Sequence, residues 1–324
     1  MLSLKPLNRP IVCTLGSAVW DTILLGGGLP ILSSIQHGTS LHFTGLPCGQ
    51  KLTLEKVICQ PGGGALNTAR VFAACNMQVY PVATVGNDIA GITLSSILAQ
   101  EGIASELLSI AEGPTGQSFV IPSPDGDRTI LTLRGANDFF AMTEDQYEWC
   151  RKASLVYIAP LGISLVQLSD IIGQIVSVDD TKTILAWNPS FHVDYDRDAL
   201  RLVLSQVDIL VVNLEEAELL ATILEDKKVS KNTQERERVA HFLRILHMTG
   251  PSCIAITNGA DGSYGSNGTQ WCYCPAKEAT VLHSTVGAGD AFGAIFTASI
   301  LKGNGILTSL EAASEYVAHI IATQ

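Results

Sequence analysis

Short apolar segments alternate with longer, helix-like segments through the second half of the chain. The apolar segments predict strands at Leu155–Ala159, Thr183–Trp187, Ile209–Val212 and Cys253–Thr257. The segments between them predict helices near Ser164–Val178, Asp198–Ser205, Glu215–Leu224 and Gln234–Met248. Because apolar strands that alternate with helices form mainly parallel sheets covered on both faces, this pattern predicts an α/β fold with a three-layer α/β/α arrangement.

The first half of the chain shows the same alternation. It predicts buried strands at Ile11–Leu15 and Val79–Gly86, and helices at Ala65–Ala74 and from about Ile89 to Gln100. No internal repeat or low-complexity segment interrupts the sequence. We therefore predict a single domain over residues 1–324.

Two segments do not fit a sheet that is buried on both faces, because their residues alternate between polar and apolar. They cover residues 37–60 and 118–133, and Pro124-Asp125-Gly126-Asp127 supplies a hairpin turn in the second. These strands predict a small antiparallel β lid over the site. Apolar side chains on one lid face (Leu41, Phe43, Leu52 and Leu54) predict pairing with the lid of a second subunit, and hence a homodimer.

Composition excludes several classes of protein. Of the 324 residues, 47% are hydrophobic and 16% are charged, so the chain can build a large core and does not belong to the disordered class. The net charge is −11 and no run of Lys and Arg occurs, which argues against nucleic-acid binding and against a basic membrane-binding patch. No apolar stretch reaches the roughly 18 residues that a membrane span needs.

The cysteines and the N-terminal segment favour a cytoplasmic location. The eight cysteines are scattered and include no Cys-x-x-Cys pair, which is typical of reduced thiols rather than of disulfides or a zinc site. Lys5 and Arg9 precede a short apolar run, but Asp21 follows soon after, which favours a first buried strand over a signal peptide.

The segment His283–Phe296 carries the most distinctive chemistry. Gly287, Ala288 and Gly289 lead into Asp290, and an apolar helix follows. A helix N-terminus offers unpaired amides and the positive end of the helix dipole, which suit an anion. An aspartate at this point has two interpretations: a helix cap, or a base beside a phosphate that is being transferred.

Other polar segments follow the predicted strands at Gly16–Asp21, Asn188, Asn213–Glu216 and Thr257–Gly262. Carboxyl ends of parallel strands meet at one edge of an open sheet, where ligands bind. The sequence contains no Walker-type phosphate loop, no Gly-x-Ser-x-Gly elbow and no His-Glu-x-x-His zinc motif. Gly62-Gly63-Gly64 lacks the spacing of a dinucleotide fingerprint, which makes a dehydrogenase a weak alternative.

Together, these motifs resemble those of the PfkB/ribokinase family of sugar and nucleoside kinases, in the family's order and over most of the chain. The matching segments are Gly16–Asp21, Pro61–Ala69, Val85–Gly91, Arg134–Asn137, Asn213–Glu216, Thr257–Gly262 and Ser284–Asp290. The resemblance implies a ribokinase-like fold. It also implies an ATP- and Mg²⁺-dependent kinase that phosphorylates a hydroxyl group of a sugar. This hydroxyl is expected to be a primary one.

The resemblance also implies roles for individual residues. Asp290 would be the general base, and the amides of Gly287, Ala288 and Gly289 would steady charge on the transferring phosphoryl group. Sugar hydroxyls would be held by Asp21, Gly63, Gly64 and Asn67. ATP would be lined by Asn213, Thr257, Gly259 and Gly262, and Glu216 would hold Mg²⁺ through water. Two residues keep structural alternatives: Asn67 as a helix cap and Asp21 as a turn residue.

Three departures from the family's pattern separate this chain from a typical member. Ser284 stands where the family has an Asp that helps bind an activating monovalent cation, which puts potassium activation in doubt. Val19 replaces an Asn of the ribose-specific members, so ribose is less favoured, and Val19 with Trp20 would suit an aglycone or another sugar. Ile295 replaces a small residue in the following helix, with an effect expected on packing alone.

Two alternatives to a sugar kinase stay open. A nucleoside kinase uses the same motifs with a different acceptor. A non-catalytic sensor of the same fold would bind sugar or nucleotide without turnover, although the intact Gly287–Asp290 segment argues against it.

Overall fold

The structure is a computed structural model, and it describes residues 9–26, 29–36, 39–123, 128–176, 183–189, 196–226, 230, 233–277 and 287–323. Within these residues no helix is long and apolar enough to cross a membrane. The predicted turn at 124–127 and Ser284 lie outside the described residues.

A nine-stranded sheet forms the centre of the molecule, in the order β15-β14-β13-β12-β11-β10-β1-β6-β7. Its strands are β1 (Ile11–Leu15), β6 (Gln78–Gly86), β7 (Leu108–Ala111), β10 (Leu155–Ile158), β11 (Ile184–Trp187), β12 (Ile209–Asn213), β13 (Cys253–Thr257), β14 (Ser263–Ser266) and β15 (Trp271–Cys274). The run from β13 to β7 is parallel, and β14 and β15 pair antiparallel at one edge. This confirms the predicted mainly parallel sheet.

Helices cover both faces of this sheet. They are α1 (Gly64–Ala74), α2 (Ile89–Gln100), α3 (Glu144–Lys152), α4 (Leu165–Val176), α5 (Arg197–Gln206), α6 (Leu214–Glu225), α7 (Glu235–Thr249), α8 (Ala288–Leu301) and α9 (Ile306–Thr323). Apolar residues of α1, α2, α8 and α9 form one core with one sheet face, and those of α3–α7 form a second core with the other face. Successive residues of β10 are all buried and alternate between the two cores, as expected for a strand between two helical layers.

A four-stranded sheet lies beside this sandwich, in the order β5-β2-β8-β9. Its strands are β2 (Val19–Leu25), β5 (Lys56–Gly62), β8 (Gly116–Pro122) and β9 (Arg128–Leu133). Two of its three pairings are antiparallel, whereas β2 and β8 run parallel. A separate two-stranded sheet pairs β3 (Ile31–Gln36) with β4 (Thr39–Thr44).

The strands of this sheet are not all the ones predicted for the lid. Residues 118–133 lie in it as expected, but only the last part of residues 37–60 does so, through β5. Residues 39–44 pair with β3 instead, and residues 51–54 are not in a strand. The inner strand β2 was not predicted, because Asp21 interrupts its apolar pattern.

Candidate active site

The side chains of Asn67 and Asp290 are joined by a hydrogen bond although 223 residues separate them in sequence. Asn67 lies in the first turn of α1 and Asp290 in the first turn of α8. The Nδ2 of Asn67 donates to Oδ2 of Asp290 at 2.9 Å. The two helices pack side by side on the same core, so their N-termini meet at the carboxyl edge of the large sheet.

The backbone at the start of α8 leaves room in front of the helix amides. Gly287 has a φ of 75°, a left-handed conformation that favours glycine, and precedes the first helical residue. A Cβ built on Gly289 would meet no described atom within 4 Å. The first amides of a helix have no hydrogen-bond partner within the helix. At the start of α8 they can therefore donate hydrogen bonds to the oxygens of an anion.

Asp21 lies on β2 and is buried, with 6% of its surface exposed. Ser118, in the neighbouring strand β8, donates a hydrogen bond to Oδ1 of Asp21. Burial raises the pKa of the Asp21 carboxyl, and the hydrogen bond from Ser118 opposes this rise. Gly62 leaves the space that the other carboxylate oxygen occupies, since a Cβ there would overlap Oδ2 of Asp21.

The charge of the Asp21 carboxylate acts on the carboxyl group of Asp290. Burial raises the pKa of the Asp290 carboxyl, the hydrogen bond from Asn67 lowers it, and the charge of Asp21 raises it further. The two carboxylates are therefore close enough to interact, and Asn67 and Ser118 each donate a hydrogen bond to one of them.

Gly63 and Gly64 join β5 to α1 and contact the loop after β1. Gly63 has a φ of 87°, and a Cβ there would overlap the carbonyl oxygen of Ser17. The amide of Gly64 donates to Oγ of Ser17 at 3.2 Å, and the amide of Ala65 donates to the Ser17 carbonyl at 3.1 Å. The predicted first substrate loop thus packs directly against the N-terminus of α1.

The buried side chain of Asn137 holds the same loop from its other side. Its Oδ1 accepts from the amide of Ala18 and its Nδ2 donates to the carbonyl of Ala18, both at 2.9 Å. Ser118 and Gly62 were not identified as site residues from the sequence, and Asn137 was noted only as part of a motif. The motifs Arg134–Asn137 and Pro61–Ala69 were the available signals for Asn137 and Gly62, and Ser118 had none.

Asn213 and Glu216 form a reciprocal capping box at the start of α6. The amide of Glu216 donates to Oδ1 of Asn213 at 2.8 Å, and the amide of Asn213 donates to Oε2 of Glu216 at 2.9 Å. Burial raises the pKa of the Glu216 carboxyl to about 7. A capping box explains the spacing of this pair on structural grounds alone, so any role in ligand binding is additional to it.

Thr257 is the register partner of Asn213 in the neighbouring parallel strand. A turn follows in which Gly259 and Gly262 both have positive φ. A Cβ on Gly259 would point into open space, whereas a Cβ on Gly262 would overlap the carbonyl of Cys274. Gly259 therefore leaves an open surface, while Gly262 is required by the fold.

The predicted site residues thus form two groups along one sheet edge. Asp21, Gly63, Gly64, Asn67 and the Gly287–Asp290 turn belong to the first group, around α1 and α8. Asn213, Glu216, Thr257 and Gly259 belong to the second, around β12 and β13. On β2, Trp20 alternates with Asp21, so Val19 rather than Trp20 shares the face of Asp21.

The residues present fit the groups that a kinase needs. The start of α8 offers amides, and a Cβ on Gly289 would meet no described atom within 4 Å, which suits phosphate oxygens. Among the described residues no three His, Cys, Asp or Glu side chains cluster as a metal site. Mg²⁺ in phosphoryl-transfer sites is held by one or two carboxylates together with phosphates and water, and Glu216 is the carboxylate at this edge that would supply one of them.

Comparison with known proteins points to one family. A family model described as pfkB family carbohydrate kinase matches residues 44–324. The ribokinase of Staphylococcus aureus is 26% identical over 259 residues, which cover 78% of this chain and 79% of that protein. The structure of Arabidopsis thaliana ribokinase with ribose and ATP superposes with a TM-score of 0.75 at 20% identity, covering 98% of this chain and 94% of that one. Burkholderia thailandensis nucleoside kinase in complex with inosine gives a TM-score of 0.69 at 17% identity, covering 97% of this chain and 92% of that one.

Proposed function

Because the chain belongs to the pfkB family of carbohydrate kinases, it is an ATP-dependent phosphotransferase, and we propose that Asp290 is the base that activates a primary hydroxyl of a sugar. The hydrogen bond between Asn67 and Asp290 carries this proposal. The N-cap position of α8 is taken by Gly287, and Asp290 comes three residues later, inside the first turn. Asp290 is instead held by a residue of another helix.

The proposed reaction is one in-line transfer. The acceptor hydroxyl oxygen forms a bond to the γ-phosphorus as the bond to the bridging oxygen of ADP breaks, and the hydroxyl proton passes to Asp290. The amides of Gly287, Ala288 and Gly289 offset the negative charge on the transferring group. Asn67 keeps the Asp290 carboxylate oriented, and its hydrogen bond opposes the rise in the Asp290 pKa that burial and Asp21 cause, which favours the ionised form.

Asp21 is proposed to bind the sugar itself. Ser118 satisfies one of its carboxylate oxygens, which leaves the other, above Gly62, to accept hydrogen bonds from sugar hydroxyls. Gly63 and Gly64 are proposed to line the same ligand, and their close packing against Ser17 and Ala159 fixes the backbone there. Asn67, which contacts Asp290, completes this group.

The second group is proposed to hold the nucleotide and its metal. Asn213, Thr257, Gly259 and Gly262 would line ATP, and open space in front of Gly259 supports this. Glu216 would hold Mg²⁺ through water. Bound Mg²⁺ would supply charge that stabilises the transferring phosphates. We propose no monovalent-cation activation, because Ser284 replaces the Asp of the family pattern.

A nucleoside kinase is the second candidate. Val19 is buried and shares the β2 face with Asp21, so it presents an apolar surface beside the proposed sugar site. Such a surface would suit the uncharged ring of a nucleoside.

An acceptor panel tests these proposals. ADP production from ATP is measured with purified protein and a set of pentoses, hexoses and nucleosides, with and without Mg²⁺. We expect turnover with at least one free sugar and none without Mg²⁺. Turnover on nucleosides alone would contradict the first proposal in favour of the second. Binding of sugar or ATP without any turnover would identify a sensor.

We also propose that the chain is a cytoplasmic homodimer paired through the four-stranded sheet. Exposed apolar side chains on this sheet support the dimer: Val57, Phe119, Ile130, Leu131 and Leu133. All eight cysteines are free thiols, which supports the location. Light scattering that shows a monomer at micromolar concentration would contradict the dimer.

A further inference from the structure

The hydroxyl of Tyr157 lies buried beneath α8 without a hydrogen-bond partner among the described residues. Tyr157 is on β10, in the centre of the large sheet, and none of its surface is exposed. An unpaired buried hydroxyl costs free energy, so native structures rarely keep one without a reason. A phenylalanine would keep the packing of the ring without this cost.

The hydroxyl lies directly against Gly293, which is one turn after Asp290 on α8. A Cβ on Gly293 would overlap the hydroxyl oxygen and would lie 3.3 Å from the ring carbon that carries it. Gly293 has no positive φ that would require glycine. The hydroxyl of Tyr157 is therefore the reason that this position has no side chain.

The ring of Tyr157 is itself fixed on the other side. It packs edge-to-face against Phe72 of α1, with ring centroids 5.5 Å apart. Tyr157 thus touches both helices whose N-termini bring Asn67 and Asp290 together. Burial raises the pKa of the Tyr157 phenol well above its ordinary value, and the nearby Asp290 carboxylate raises it further, so the phenol stays neutral.

We propose that Tyr157 is a positioning residue. Its hydroxyl, in contact with Gly293, sets the distance between α8 and the sheet, and this distance places the Asp290 carboxylate for proton transfer. This inference rests on the proposed function of Asp290. The hydroxyl acts as a spacer between β10 and α8. Its unpaired state lowers the stability of the fold and is kept because the spacing serves catalysis.

A double-mutant cycle tests the proposal, with Tyr157→Phe, Gly293→Ala and the two combined. Gly293→Ala pushes the start of α8 away from the sheet, and we expect kcat to fall about 10- to 100-fold with little change in KM, since small displacements of reacting groups cost rates of this order. Tyr157→Phe lets α8 settle closer and should lower kcat by roughly three- to tenfold. It should also raise Tm, because it removes the unpaired hydroxyl.

The combined variant gives the decisive result. Removing the hydroxyl makes room for the alanine methyl group, so kcat should recover to within about threefold of the wild-type value, as expected for strongly coupled neighbours. Thr297→Val is the matched control, because Thr297 is also on α8 and its buried hydroxyl also lacks a described partner. The control should leave kcat unchanged.

Several results would overturn the proposal. These are normal kcat in Gly293→Ala, no recovery in the combined variant, or equal kcat in Tyr157→Phe and the wild type. If Gly293→Ala does not fold, recovery of folding in the combined variant supports the contact, and its absence contradicts it. If the wild type phosphorylates no acceptor, the proposed function fails, whereas coupling of the two substitutions in Tm still tests the contact itself.

Discussion

Asn67 donates a hydrogen bond of 2.9 Å to the carboxylate of Asp290, across the junction of two helices that begin 224 residues apart (Gly64 and Ala288). This bond lowers the pKa of the Asp290 carboxyl against the effects of burial and of Asp21, which both raise it. A base must be ionised to accept a proton, so the bond favours the form of Asp290 that the proposed mechanism needs.

Asn67→Ala should therefore shift the pH profile of kcat. Without the amide donor the pKa of Asp290 rises, so the acidic limb of the profile moves to higher pH, and activity that is full above this pKa is lost earlier as pH falls. We also expect kcat at neutral pH to fall about tenfold, the cost of one charged hydrogen bond. Asn304→Ala is the control, because Asn304 lies at the opposite end of α8, and it should leave the acidic limb of the profile in place. An unshifted acidic limb in Asn67→Ala would show that Asn67 does not lower the pKa of Asp290.

Ser118→Ala should raise the KM for the sugar more than it lowers kcat. Ser118 bonds Asp21 from the neighbouring strand, and without this bond the buried carboxylate loses its fixed orientation. An increase of about tenfold in KM is expected for one lost hydrogen bond to a charged group. Thr132→Ala makes a suitable control, since Thr132 is the exposed register partner of Ser118 on β9. Equal KM values for Ser118→Ala and the control would contradict this role.

Gly62→Ala should strongly reduce sugar phosphorylation while the protein stays folded. The added methyl group would overlap Oδ2 of Asp21, so the carboxylate must leave its position. We expect kcat/KM for the sugar to fall by at least about 100-fold, as for a displaced substrate-positioning group. Gly173→Ala on α4 is the control, because a Cβ there meets nothing within 4 Å and should instead raise Tm. Retained kcat/KM in Gly62→Ala would show that Asp21 does not bind the sugar.

Glu216→Gln should remove the pH dependence of Mg²⁺ binding near neutrality. The pKa of Glu216 is raised to about 7, so the metal-free carboxyl is largely protonated below that pH and Mg²⁺ must displace the proton. In the wild type, Mg²⁺ affinity in the presence of ATP should rise as the pH increases through 7, whereas the variant should bind weakly throughout. Calorimetric titration at pH 6 and pH 8 measures this, with Glu237→Gln as a control.

The same raised pKa affects stability. At pH values between 4.5, the ordinary pKa of a Glu side chain, and about 7, Glu216 holds a proton in the folded chain that it releases in the unfolded chain. The stability of the metal-free protein should therefore fall with rising pH over this range, and Glu216→Gln should flatten that slope. Gln can still fill the capping box, so helix α6 is kept.

The sequence predicted the buried strands and their helices because each carries one uninterrupted signal. The four residues of β10 are all apolar and all buried, and α1 begins at the glycines that mark its start. The four-stranded sheet was harder to predict. Its inner strand β2 contains Asp21, and β5 continues through Pro61 and Gly62, which as a local pattern mark a break in the chain.

Residues of the site were predictable where a motif carried them, and contacts between motifs were not. Asp290 and Asn67 each lie in a recognisable segment, but no local pattern indicates that they are bonded across 223 residues. Ser118 lies in a strand of ordinary composition, and its role exists only because β8 pairs with β2. Likewise, the contact of Tyr157 with Gly293 depends on the packing of α8 on the sheet.

The most direct measurement is the turnover and nucleotide affinity of Asp290→Asn. Asparagine keeps the size of the side chain but cannot accept the proton, so kcat should fall by at least about 100-fold, as for loss of a general base. The affinity for ATP, measured by calorimetry, should stay within about threefold of the wild-type value, because the helix amides that are proposed to bind phosphate are unchanged. Wild-type turnover in Asp290→Asn would show that Asp290 is not the base and would contradict the proposed mechanism.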